Sequence, residues 1–80
     1  MEIANDPEVQ SLMMSYYMLP EIQAAILTLN EAEFPVLRQG AVFYALSFYY
    51  SVVGNAELQR FASAMYQFYT KVAIQIASRF

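Results

Sequence analysis

The side chains that could do chemistry are few, and the missing ones narrow the field most. The chain has no histidine and no cysteine. That removes the imidazole base, the thiol nucleophile, the disulfide, and the nitrogen and sulfur ligands of zinc. The carboxylates are Glu2, Asp6, Glu8, Glu21, Glu31, Glu33 and Glu57. Glu31 and Glu33 could approach a cation. Without further oxygen donors nearby they fall short of the six to eight that calcium takes. No Gly-rich phosphate loop occurs, and the serines have no base beyond a lysine to activate them. The expectation is a protein that is not an enzyme and carries no metal and no cofactor.

The cations exclude another class. Arg38, Arg60, Lys71 and Arg79 are the only basic residues, and the net charge is −3. Nucleic-acid binding needs Lys and Arg clustered to displace counterions. These four are spread along the chain, so no nucleic-acid partner is expected. The acidic start MEIANDPEVQ lacks the positive residues and apolar run of a secretory signal, which points to the cytoplasm.

What the chain does have is apolar surface. Hydrophobic residues make up 59% and charged residues 14%, against averages near ~45–50% and ~25%. A chain of 80 residues is expected to form one domain, 1–80, and to hide only about 60% of its unfolded surface. The composition is that of a protein that finishes burying itself against something else.

The elements that carry this surface read as helices. DPEVQ (Asp6 to Gln10), LPEIQ (Leu19 to Gln23) and NAELQ (Asn55 to Gln59) look like copies, but their glutamates lie 13 and then 36 residues apart. They share no period, and each is a helix start. Asp6 and Asn55 can cap, Pro7 and Pro20 suit a first turn, and Glu8, Glu21 and Glu57 meet the positive end of the helix dipole. Leu19 is a poor cap. The spacing predicts helices over about 7–18, 20–29, 35–53 and 56–78. Asn30 and Glu33 fit a capping box and Leu29 with Phe34 a hydrophobic staple. Pro35 argues for a later start, so a short turn at 31–33 precedes the third helix. Gly54 can end that helix, making the last two an antiparallel hairpin. The fold class is therefore all-α, a small four-helix bundle with a long C-terminal hairpin, completed by oligomerisation.

Two stretches exceed what one core needs. Ala41 to Val53 holds 11 apolar residues and two serines in 13 positions. That is too short a run to span a membrane, and it predicts a helix packed on all sides. The fourth helix has a stripe of Leu58, Phe61, Ala62, Met65, Tyr69, Val72, Ile76 and Phe80, expected to dock on the third. It also has a second face of Tyr66, Ala73, Ile74 and Ala77, with Phe68 off both. The pairs Tyr16-Tyr17 and Tyr49-Tyr50 diverge by about 100° on a helix. They read either as rim residues of the bundle or as the lining of an interface. Met13, Met14, Met18 and Met65 allow the same two readings.

The expected interface is Tyr16, Tyr17, Tyr49, Tyr50, Tyr66, Phe68, Ala73, Ile74 and Ala77. The expected function is a non-enzymatic interaction module (scaffold, adaptor or regulator). It would act as a homo-oligomer, most simply a dimer, with a further protein partner. The alternatives are a heteromeric subunit or small chaperone, a membrane-surface protein, and a carrier of a small apolar ligand.

Overall fold

The computed structural model describes residues 6–79, so Glu2 and Phe80 lie outside it. Helix α1 runs Pro7–Tyr17, α2 Pro20–Ile26, α3 Phe34–Val52 and α4 Ala56–Ala77, with a 3-10 turn at Glu31–Glu33 before α3. No strand occurs among the described residues. The fold is all-α.

The helix starts follow their local chemistry. The Asp6 carboxylate accepts from the Glu8 N–H at 2.8 Å, and the Asn55 side chain accepts from the Leu58 N–H at 3.1 Å. Leu19 caps nothing with its side chain, as its type requires. At the 3-10 turn the Asn30 N–H donates to Glu33 Oε1 at 2.8 Å. The guanidinium of Arg79 donates to the same oxygen, tying the end of α4 to the start of α3. These donors, Arg79 first, hold the Glu33 carboxyl below its usual range.

Helix α2 stops earlier than the sequence suggests, at Ile26 rather than near Leu29. The Thr28 hydroxyl explains the stop. It lies 3.2 Å from the carbonyls of both Ala25 and Ala77, so it draws the chain out of the helix and onto α4.

Gly54 closes α3. Its φ of +77° is the left-handed conformation that glycine adopts without strain. The Asn55 N–H reaches the Tyr50 carbonyl at 2.9 Å and the Gly54 N–H reaches that of Ser51 at 3.3 Å, the paired bonds of a Schellman cap. The hairpin that follows is antiparallel: Gly40 approaches Thr70 while Tyr44 approaches Tyr66. Helix α1 packs against α3 and α2 against α4, so the short helices lie along the hairpin in a body of 41 × 23 × 20 Å.

The core of the hairpin is made of small residues. On α3 the buried positions are Leu37, Gly40, Ala41, Ala45 and Ser47, and on α4 they are Ala62 and Ala73. Two expectations change as a result. Helix α3 is not packed on all sides: Phe48, Val52 and Val53 are exposed, because α3 outruns the 11-residue α1. Helix α4 is rotated from the expected docking. Ala62, Tyr66, Tyr69 and Ala73 turn inward or toward α3, while Leu58 and Phe61 stay exposed. Alanines at the contact let the helices approach, and the larger rings are displaced to the flanks.

Tyr16 locks the layers together. It is 0% exposed, its hydroxyl lies 2.6 Å from Thr70 Oγ1 on α4, and its ring meets Tyr17, Tyr44 and Tyr66 at 5.8, 5.4 and 6.3 Å. A Cβ on Gly40 would sit 2.4 Å from that hydroxyl, so glycine makes room for it. Gly40→Ala gains up to ~1 kcal/mol of helix propensity but forces a buried ring to move, at a cost of about 1–3 kcal/mol. The expected result is a lower melting temperature, read by thermal circular dichroism. Tyr16→Phe leaves the Thr70 hydroxyl short of a partner and costs about 1–2 kcal/mol.

Burial also raises the Tyr16 phenol pKa, against a smaller lowering by the Thr70 hydrogen bond. Burial likewise raises that of Tyr17, with Arg38 opposing. The folded state therefore prefers both phenols neutral. Their contribution is complete below the unfolded pKa of about 10 and is lost as pH rises through the folded values. Melting temperature should fall above about pH 10, and the slope should be shallower in Tyr16→Phe.

Candidate interaction surface

The expected interface residues do not form one surface. Tyr16 and Ala73 are fully buried in the chain's own core and cannot line an interface. They were displaced inward by the rotation of α4 and by the space Gly40 leaves. Tyr66 and Ala77 are half-buried against the same core. Tyr17 is half-buried at its edge. Tyr49 and Tyr50 are half-buried near the hairpin turn, ring to edge at 5.5 Å. Only Phe68 and Ile74 are open. Six residues apart on a helix, they point about 120° from each other.

Phe68 belongs to a cluster that the expected list missed. Its ring meets Tyr69 at 5.4 Å. Tyr69 stacks on Phe43 of α3 at 5.9 Å, interplanar 6°. Phe43 in turn meets Phe61 edge-on at 6.0 Å. The four rings form a continuous ridge along the groove between α3 and α4. Phe43 and Tyr69 are half-buried, and Phe61 and Phe68 are 55% and 57% exposed. The exposed Leu58 and the half-buried Met65 and Val72 share the helix face of Phe61 and Phe68.

The ridge and the tyrosine core use different flanks of the hairpin. Tyr44 and Tyr66 face α1, where they meet Tyr16. Phe61 and Phe68 lie on the other flank of α4, roughly 140–160° around the helix from Tyr66. Helices α1 and α2 cover the first flank and leave the second bare. The signal for this surface was present in the spacing of Leu58, Phe61, Met65, Phe68 and Val72. By sequence alone, Leu58, Phe61, Met65 and Val72 go to docking on α3 and Phe68 is left off both faces.

Other features offer less. A notch of about 440 Å³ opens between Tyr17, Ile26, Phe34 and Leu37, with Glu31 and Arg38 at its walls. It is open to solvent, whereas ligand carriers enclose most of their cargo. Among the described residues, no three His, Cys, Asp or Glu side chains converge to hold a metal. No described helix is long and apolar enough to cross a membrane. No protein-family model matches the chain, and neither does any curated protein or solved structure.

Proposed function

We propose that the chain is a non-enzymatic interaction module that self-associates through the bare flank of its C-terminal hairpin. The observation that carries this reading is the ridge of Phe43, Phe61, Phe68 and Tyr69, with two phenylalanines more than half exposed two turns apart on one helix face. Contiguous apolar surface of this kind on a small domain marks a site of association. Aromatic side chains supply most of the energy at such contacts.

Self-association accounts for the composition as well as the geometry. The charged fraction is low because one flank of the hairpin is not designed for water. Depletion of charge at the centre and enrichment of aromatics are the compositional marks of an interface core. As a scaffold or adaptor, the assembled form would then present the remaining surfaces to a further protein.

The test is the solution mass of the untagged protein, by size exclusion with light scattering over a wide concentration range. The expected result is an integer multiple of 9.2 kDa. Phe61→Glu and Phe68→Glu should each return the protein to monomer with its helical circular dichroism intact. Ile74→Glu, about 160° around α4 from the mid-line of the ridge, should leave the mass unchanged. A wild-type monomer at all concentrations would overturn self-association and turn the search to a different protein as the cover.

A further inference from the structure

We propose that α4 pairs with α4 of a second copy, antiparallel, about a two-fold axis that passes beside Ala64 and Met65. This deepens the self-association reading and rests on it.

The first observation is the spacing on the bare flank. Leu58, Phe61, Met65, Phe68 and Val72 follow steps of 3, 4, 3 and 4, the pattern of a seam between two helices. At 100° per residue they fall within about 80° of the helix circumference. The buried Ala62 and Ala73 lie about 80–100° around the helix from the mid-line of this seam, turned into the protomer. The helix thus serves its own core with one side and offers a complete seam with another.

The second observation is that the seam is complementary to its own reversal. Turning the helix end for end about residues 64 and 65 sets Phe61 against Phe68, Leu58 against Val72 and Glu57 against Lys71. Each pair is apolar on apolar or opposite in charge. A two-fold axis makes each of them twice, as an isologous contact requires. Glu57, Ala64 and Lys71 stand seven residues apart along one exposed border of the seam. Ala64, at the axis, is small enough to let the two backbones approach. A parallel two-fold would put the two copies of this border on opposite sides of the seam and leave Glu57 and Lys71 unmatched, so the charge pairing fits the antiparallel arrangement alone. A foreign helix would place no such symmetric demand on the two ends of the stripe.

The contact has a modest size. Residues 57–72 span about 22 Å of helix, and Phe61 and Phe68 already bury nearly half of their surface within the protomer. The interface therefore belongs at the small end of specific contacts, below about 1,200 Å² in total. The dimer should form reversibly, with a mass that rises with concentration.

The absence of cysteine makes the geometry directly testable. Glu57→Cys, Ala64→Cys and Lys71→Cys each place one thiol on the exposed border, away from the core. A disulfide forms only where Cα atoms come within about 7 Å. Under mild oxidation Ala64→Cys should link to itself. Glu57→Cys and Lys71→Cys should each remain unlinked alone, because 14 residues separate the thiols by about 21 Å along the paired helices. Mixed together, they should link to each other. Self-linking of Glu57→Cys or of Lys71→Cys alone would contradict the antiparallel register and overturn the inference. A dimeric mass with no link at any of these positions would place the interface elsewhere; the inference would fall while self-association stood. A monomeric wild type would overturn both.

Discussion

The arrangement depends on one buried phenol. Tyr16 reaches from the last turn of α1 across α3 to a hydroxyl on α4. It does so through a gap that exists because position 40 has no side chain. Three further tyrosines close around its ring. A ring of that size with a polar tip has few places to go in a small bundle. Once it is satisfied, the height of α1 on the hairpin and the facing of α4 toward it are set. The ties between Thr28 and Ala77 and between Glu33 and Arg79 then fasten the opposite end.

Much of the fold was legible because it rests on local chemistry. Asp6-Pro7, Gly54-Asn55 and the Asn30–Glu33 turn are short-range devices whose geometry depends only on neighbouring residues. The number, order and nearly all the ends of the helices followed from them. The facing of α4 did not. Counting apolar residues gives weight to the large ones, and Leu58, Phe61 and Met65 looked like the docking stripe. The contact keeps Ala62, Tyr69 and Ile76 of that stripe but centres on Ala62 and Ala73, with Leu58 and Phe61 left more than 40% exposed at its edge. Small residues signal a close helix–helix approach only when the partner is known to be small at the same height. Here that means Gly40 and Ser47 on α3, a tertiary fact. Tyr16 was misread for the same reason. A tyrosine pair suggests a rim, and nothing local to residues 16 and 17 reveals the space at Gly40.

The same economy of volume produces the candidate site. A core of alanine, glycine and serine brings helices together but hides little area per residue. The phenylalanines that a wider core would take in are left on the outer flank, linked through Phe43 and Tyr69. Tight packing inside and apolar exposure outside are therefore one property of the sequence seen from two sides. A variant that enlarged the core to take in Phe61 would have to spread α3 from α4 and would lose the seat of Tyr16.

The distance in sequence between Tyr16 and its partner has a consequence for synthesis. Thr70 follows Tyr16 by 54 residues. At about 5–20 residues per second, roughly 3–10 s pass between the emergence of the two from a ribosome. During that interval α1 has α3 to close upon, but α2 still lacks α4 and the Tyr16 hydroxyl lacks its partner. The closure of α2 and the locking of Tyr16 thus wait for the last turns of α4.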